Sequence, residues 1–274
     1  MTWADTLRTA YEAIVARRMR SMLTMLGILI GIAAVMLTVG LGQGAQEKVT
    51  SAINALGSNL LVVTPGSTTS STGFRGGQGS ATTLTTSDAQ MLGDPSIAQD
   101  VAAVAAASTS SQSLAAGTQT WTSSVVGTTP TWLSVRARSV TDGRFFTDAD
   151  LAAGSTVAVL GSTTASELFT DNPVGQTVTI NSSPFTVIGI LDTQGSSSST
   201  NLDDQVVMPM TTYASRVSTS TNPEAVGTIY LQAKDQGTLS AAYQEVDSAL
   251  LTSHGVTATS ADFTLSSQQS LVQT

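Results

Sequence analysis

The sequence predicts an α+β protein anchored in a membrane: a membrane helix and stalk, followed by a split β-α-β lobe that carries a mostly β insertion. Three observations predict this class. Ser21–Gln46 is a run of 26 residues without a charge. Leu60–Ala107 and Thr228–Ser266 each have a strand–helix–strand pattern. Between residues 135 and 223, short strands and capped helices follow one another closely.

Ser21–Gln46 is long enough to cross a membrane as a helix. An α-helix rises about 1.5 Å per residue, so about 20 apolar residues span a hydrocarbon core of about 30 Å. Ten residues between Met22 and Leu41 are Leu, Ile or Val, and they contribute about −3 to −6 kcal/mol to insertion. The alternative is a cleaved signal peptide, whose apolar core is about 7–15 residues long. The longer run and the helical pattern that follows it favour an anchor.

The charges that flank this run predict its orientation. Four arginines precede it, namely Arg8, Arg17, Arg18 and Arg20, and basic residues remain on the cytoplasmic side. We therefore expect residues 1–20 in the cytoplasm and the bulk of the chain in the periplasm or outside the cell. Residues 2–20 have an amphipathic pattern that predicts a helix lying in the lipid headgroup region. A plain juxtamembrane extension is the alternative.

Two features of the anchor indicate more than attachment. Gly27 and Gly31 form a GxxxG motif, which lets a second helix approach closely, so we expect helix packing there. Beyond the apolar run, Val49, Ile53 and Leu56 continue at helical spacing. This pattern predicts that Glu47–Leu56 forms a stalk.

Composition excludes several classes of function. Residues 1–20 carry four basic and two acidic groups, a balance of +2, whereas residues 21–274 carry seven basic and 17 acidic groups, a balance of −10. An acidic outer part repels phosphate backbones, so nucleic acid is not an expected partner. The sequence has no cysteine and a single histidine, His254. We therefore expect no disulfide and no His-rich metal site. No motif in the sequence indicates a cofactor, and we expect none.

Carboxylates are the remaining candidates for catalysis, and each has a structural explanation. Asp148 and Asp150 lie in the first turn of a predicted helix, where negative charge is favourable. Asp203 and Asp204 precede a strand and are expected to face water. His254 lies in the last turn of a predicted helix, where a cation is favourable. A Ser-His-Asp arrangement stays open, but no GxSxG motif is present, and we expect no enzyme activity.

Caps and periodicity predict the elements of the outer part. The predicted strands are Ser58–Thr64, Val101–Ala107, Thr120–Gly127, Thr156–Leu160, Thr177–Ile180, Phe185–Leu191, Gln205–Met210, Thr228–Ala233 and Phe263–Ser266. Helices are predicted after caps at Thr86–Asp88, at Thr147, and at Thr164 with Glu167, and over Thr238–Ser253 with Gly255 at its end. Pro65–Thr83 and Gln194–Asn201 are predicted to be flexible loops.

Several segments in order carry a family resemblance. They are Arg17–Gln46 (RRMRSMLTMLGILIGIAAVMLTVGLGQGAQ), Leu56–Gly66 (LGSNLLVVTPG), Asp142–Asp150 (DGRFFTDAD), Val157–Gly161 (VAVLG), Pro173–Ile180 (PVGQTVTI) and Phe185–Leu191 (FTVIGIL). Together they resemble the MacB/FtsX-type ABC transporter permeases, including the LolC/LolE group. The resemblance covers nearly the whole chain.

The resemblance implies a specific architecture. It implies a porter-like lobe formed by 47–134 and 224–274, with a Sabre-like lobe over 135–223 inserted into it. It further implies a homodimer or a heterodimer with another permease, a contact with lipid, and an extracytoplasmic adaptor protein. Because the chain opens directly with the interfacial helix, we expect the ABC-type ATPase on a separate chain, faced by the four arginines. Such permeases have three further membrane helices, so a chain ending at Thr274 is expected to be a fragment or a reduced subunit.

The leading hypothesis is therefore a permease subunit. It would transmit ATP-driven motion to the outer lobes, which export or extract a hydrophobic or amphipathic cargo. Two alternatives stay open. One is a single-pass anchored binding or adaptor module without transport activity, and the other is a regulator of cell-wall enzymes.

Overall fold

A computed structural model describes residues 3, 18–55, 59–66, 82–195, 201–220 and 222–267, with the side chains of 18, 21 and 41–55 left out. The chain divides into two compact units, Met1–Asn54 and Ala55–Thr274. Most of the predicted helix at 2–20 and most of the predicted loop at 65–83 lie outside the described residues.

The first unit is dominated by one long helix, α1, which runs without a break over Arg18–Ala55. Within the described residues, its Met22–Gly40 stretch is the one span long and apolar enough to cross a membrane, with a mean hydropathy of 2.5. At about 1.5 Å per residue, 19 residues cover about 28 Å. The hydroxyls of Thr24 and Thr38 donate to carbonyl oxygens four residues earlier, at 3.1 Å and 2.8 Å, which satisfies them inside the helix.

The described residues of the second unit form one mixed sheet of ten strands. The strands are β1 (Leu60–Pro65), β2 (Val101–Ala116), β3 (Gln119–Thr128), β4 (Val140–Gly143), β5 (Val157–Leu160), β6 (Thr177–Ile180), β7 (Ser183–Leu191), β8 (Gln205–Pro209), β9 (Thr228–Ala233) and β10 (Phe263–Ser267). Their order is β10-β1-β9-β2-β3-β8-β5-β7-β4, with β6 paired to β2 and β7. The β3–β8 and β5–β7 pairs are parallel and the other pairs are antiparallel.

Among the described residues of the second unit, six helices and one 3₁₀ turn accompany this sheet. They are α2 (Thr86–Leu92), α3 (Trp132–Val135), α4 (Asp148–Ala152), α5 (Ser162–Leu168), α6 (Met210–Arg216), α7 (Leu239–His254) and a 3₁₀ turn at Ala258–Ser260.

Both faces of the sheet are covered by apolar side chains. Alternation along β9 shows this: Ile229 and Leu231 belong to the larger core cluster, with α2 and α7, whereas Tyr230 packs against a second cluster on the opposite face. The second cluster contains Trp132 from α3 and Phe146, both nearly fully buried. Two covered faces explain why the strands contain so many apolar and small residues.

The long hairpin of β2 and β3 differs from the prediction. The expected strand ended at Ala107, but β2 continues to Ala116 and pairs with β3 through Ala116 and Gln119. The turn is reduced to two residues, with Gly117 at φ +58°. The polar run Ser108–Ser113 reads as a loop by composition. It is a strand because its backbone groups pair with β3, and because polar side chains suit the partly exposed faces of a hairpin.

One predicted N-terminal helix cap is confirmed, one lies a residue away from its predicted position and one is wrong. Thr147 with Asp150 forms a capping box on α4, as predicted, and α2 has the same box formed by Thr85 and Asp88, one residue before the predicted cap. The predicted box of Thr164 and Glu167 is wrong, since α5 begins at Ser162 after Gly161. Thr164 is buried and bonds the Ser123 hydroxyl at 3.0 Å instead.

Helix α6 was not predicted, because Met210 was assigned to the preceding strand. The helix packs Tyr213 directly on β3 at Gly127, where a Cβ would lie 2.3 Å from the Tyr213 Cβ. This close approach of Tyr213 explains why a glycine occupies position 127 inside a buried strand.

Candidate functional sites

Some of the residues predicted to act in the membrane helix and stalk lie on α1, and others lie outside the described part of the chain. Arg18, Arg20, Gly27 and Gly31 lie on α1, and a Cβ added at either glycine would meet no atom within 4 Å. The space beside each glycine is therefore open, and packing of a second helix there remains a prediction. Arg8, Arg17 and Leu56 lie outside the described residues. The backbone is helical at Glu47, Val49 and Ile53, so the predicted stalk continues α1 as far as Ala55.

A buried histidine and two carboxylates join three parts of the second unit. The His254 Nδ1 lies 2.8 Å from the Asp262 Oδ1, and its Nε2 lies 3.4 Å from the Asp88 Oδ2. The side chain of His254 is 9% exposed and that of Asp88 is 8% exposed. Burial lowers the pKa of His254, but the hydrogen bond and charge of Asp262 and the nearby Asp88 outweigh burial, so the pKa of His254 is raised. The sequence placed His254 correctly at a helix end but gave no signal for its two partners.

The polar groups around His254 are satisfied by one another. Asp88 also accepts from the backbone N–H and the hydroxyl of Thr85, at 2.9 Å and 2.8 Å. The Ser253 hydroxyl contacts Asp88 at 3.4 Å rather than His254. No nucleophile–histidine pair is therefore assembled at this place in the described chain, and the cluster acts as a structural tie between α2, α7 and the start of β10.

A second buried ion pair corrects a sequence-based expectation. Asp203 was expected to face water but is 4% exposed and accepts from the backbone N–H groups of Gln194 and Gly195. Arg138, also buried, donates to the Asp192 carboxylate at 2.9 Å and lies 3.8 Å from Asp203. Burying these charges is favourable only because they pair and are hydrogen-bonded. The arrangement fixes both ends of the predicted loop Gln194–Asn201.

Asp204 and Asp150 are also engaged within the described chain. Asp204 accepts from the Trp121 indole N–H at 3.0 Å and the Thr164 hydroxyl at 2.9 Å. Asp150 pairs with Arg144 at 2.8 Å. That hydrogen bond and the Thr147 backbone N–H lower the pKa of Asp150 to about 2. Asp148, by contrast, is exposed, with no hydrogen-bond or ion-pair partner within the described residues.

Asp148 lines a cleft of about 540 Å³ in the second unit. The cleft opens where β2 and β3 separate. Since Ala107 pairs with both Thr128 of β3 and Thr228 of β9, those two strands lie on opposite edges of β2. No described strand pairs with Val101–Ala106 on the β3 edge, and the gap is walled by α2, α4 and the start of α6. No sequence pattern indicated this cleft.

Among the described residues, no group of three or more His, Asp or Glu side chains could hold a metal ion. The expectation that the chain needs no metal or cofactor stays a prediction, as does the absence of catalysis.

The comparison with known families decides what this architecture is. Residues 21–249 match the family model of the MacB-like periplasmic core domain, which covers most of the chain. The chain belongs to this family. The match confirms the resemblance drawn from the sequence motifs.

Curated relatives of this MacB-like chain agree. It is 34% identical over 278 residues to the macrolide export ATP-binding/permease protein MacB of Azoarcus sp., covering 98% of this chain and 39% of the relative. It is 37% identical over 212 residues to the MacB of Hyphomonas neptunium, covering 76% of this chain and 32% of the relative. The chain therefore spans about a third to two fifths of the length of these relatives.

Solved structures confirm the fold of the second unit. The periplasmic region of MacB from Actinobacillus actinomycetemcomitans matches with a TM-score of 0.64 at 23% identity, covering 81% of this chain and 94% of that structure. The extracellular domain of the ABC-type transporter YknZ from Gram-positive bacteria matches with a TM-score of 0.60 at 18% identity, covering 76% of this chain and 100% of that structure. The predicted α+β class is thus confirmed. The domain limits at 134/135 and 223/224 remain predictions.

Proposed function

We propose that this MacB-like chain is the permease part of an ABC transporter, and that it conveys ATP-driven motion across the membrane to its sheet-rich domain. The observation that carries the proposal is the family match over residues 21–249, which includes the apolar helix and most of the sheet domain. The relatives are named ATP-binding/permease proteins, which supports an ABC-type ATPase as the source of motion.

The unbroken α1 helix supports a mechanical role. A helix transmits displacement along its axis because every interior peptide group is hydrogen-bonded. α1 runs over 38 residues, of which about 20 suffice to cross the hydrocarbon core. We assign Gly27 and Gly31 to packing against a second membrane helix, and Glu47–Leu56 to the stalk that passes motion on.

The orientation follows from the arginines at the start of the chain. We place Arg8, Arg17, Arg18 and Arg20 in the cytoplasm, facing the ATPase or lipid headgroups, because basic residues remain on that side. The sheet domain then lies in the periplasm or outside the cell. We propose that the transporter carries a hydrophobic or amphipathic cargo. We also propose that this chain acts as a dimer and binds an extracytoplasmic adaptor protein.

The proposal is tested by reconstituting the chain with the ABC-type ATP-binding protein of its transporter and measuring ATP hydrolysis with and without the chain. We expect association in detergent and a change in ATPase rate. Val49→Pro interrupts the stalk and costs about 3 kcal/mol of helix stability. It should leave association intact but remove the effect of adaptor or cargo on ATPase rate, whereas Val49→Ala should not. Absence of association would favour an anchored binding module instead.

A further inference from the structure

The cleft between β2, α2, α4 and α6 has the size and lining of a small-molecule site. Its volume of about 540 Å³ lies within the range of about 300–1,000 Å³ that ligand pockets occupy. Side chains from separate segments meet there, including Val101 and Val104 of β2, Leu151 of α4 and Met210 of α6. These supply an apolar floor. A simple gap between packed elements is the alternative. The polar lining indicates which ligand the cleft would take, and a binding experiment separates the two.

Three threonine hydroxyls on the lining of the cleft can only accept hydrogen bonds from a ligand, because each already donates its own proton within the protein. The Thr131 hydroxyl donates to the Val104 carbonyl at 2.6 Å. It therefore accepts the proton of Thr129, 2.9 Å away, because a hydroxyl has one proton to give. The Thr211 hydroxyl donates to the Leu151 carbonyl at 2.6 Å. All three hydroxyls retain only lone pairs for a ligand.

Asp148 adds charge to this set of acceptors. An ionised carboxylate only accepts hydrogen bonds, and Asp148 has no described partner that satisfies it. No lysine or arginine is among the described residues that line the cleft. Thr86 and Gln90 of α2, on the lining as well, can either donate or accept. A ligand that satisfies this lining must bring its own donors and a positive charge.

We infer that this cleft binds a small amphipathic amine, with the apolar body on Val101, Val104, Leu151 and Met210 and the ammonium group directed to Asp148 and the threonine hydroxyls. The inference does not depend on coupling to an ATPase. An alcohol of the same shape has only one proton to donate to these acceptors. A carboxylate of the same shape is repelled by the negative charge of Asp148. The cleft therefore selects among ligands by their head group.

The test uses one diphenyl skeleton with three head groups: 3,3-diphenylpropylamine, 3,3-diphenylpropan-1-ol and 3,3-diphenylpropanoate. Binding to the full chain in zwitterionic lipid nanodiscs is measured by calorimetry, with empty nanodiscs subtracted. We expect the amine to bind about two- to fivefold more tightly than the alcohol, since an ion pair with an exposed carboxylate is worth up to that factor. The carboxylate should bind least. High salt should reduce the preference for the amine.

Two variants and a control locate the site. Asp148→Asn should remove the preference for the amine while the alcohol binds as before. Asp171→Asn makes the same charge change at an exposed position outside the cleft and should change nothing. Ala102→Trp fills the cleft from an exposed position and should weaken all three probes. The inference is overturned if no probe binds, if the amine has no advantage, or if Asp148→Asn and Asp171→Asn behave alike.

Discussion

Replacing Gly127 with alanine tests how the inserted elements are packed onto β3. A Cβ at this position would lie 2.3 Å from both Cβ and Cγ of Tyr213, far inside van der Waals contact, and Tyr213 is 5% exposed. Neither the strand nor α6 can move freely, because Gly127 pairs with Ser108 on one side and Met208 on the other. Overpacking of this kind costs about 1–3 kcal/mol. In a domain of this size it lowers the Tm by about 2–4 °C per kcal/mol, so we expect a loss of about 2–12 °C.

The assay is thermal unfolding followed by circular dichroism, with a matched control and a double-mutant cycle. Gly227→Ala is the control, because its nearest atom lies at 3.7 Å, and it should change stability by less than about 0.5 kcal/mol. Tyr213→Ala opens space and costs about 3–5 kcal/mol by itself. In that background Gly127→Ala should cost almost nothing, so the two changes are strongly non-additive. An equal cost of Gly127→Ala in both backgrounds would refute the packing of α6 on β3.

Two further predictions concern the buried charges. The raised pKa of His254 means that its contribution to stability is fully present below about pH 6.5, the usual unfolded value, and is lost as the pH rises through the folded pKa. His254→Gln should therefore lower the Tm most at about pH 6 and least at about pH 9; a larger loss at high pH would contradict the charged His254 between Asp88 and Asp262. Arg138→Met leaves Asp192 and Asp203 without their cation and should cost about 3–5 kcal/mol in chemical denaturation, whereas Arg144→Met breaks an exposed pair and should cost less than about 1 kcal/mol. Equal effects of the two arginine changes would show that Arg138 is not the buried partner.

Local signals in the sequence were sufficient wherever the structure depends on neighbouring residues. The strand Thr228–Ala233 is observed with its predicted bounds, and α7 begins and ends within one residue of its prediction. Gly255 ends that helix at φ +63°, as a glycine in the left-handed region does. The apolar helix was also predicted, because length and the absence of charge decide it.

Contacts between distant segments were not predictable from a single sequence. Thr164 looked like a helix cap, but its hydroxyl bonds Ser123 and Asp204, which lie far from it in the chain. Asp203 looked solvated because it is charged and next to a loop, yet its partner Arg138 comes from before β4. The acceptor lining of the cleft likewise depends on which carbonyl each threonine reaches. These features follow from tertiary packing, for which local propensity gives no signal.

The central claim is that α1 crosses the membrane once with its N-terminus in the cytoplasm, and cysteine accessibility tests it most directly. The chain has no cysteine, so Ala4→Cys and Thr118→Cys, the latter in the exposed turn between β2 and β3, each introduce a single label site. A maleimide that cannot cross membranes is added to spheroplasts before and after lysis. The account predicts that Thr118→Cys is labelled in intact spheroplasts and Ala4→Cys only after lysis. Equal labelling of both sites before lysis, or the reverse pattern, would contradict it.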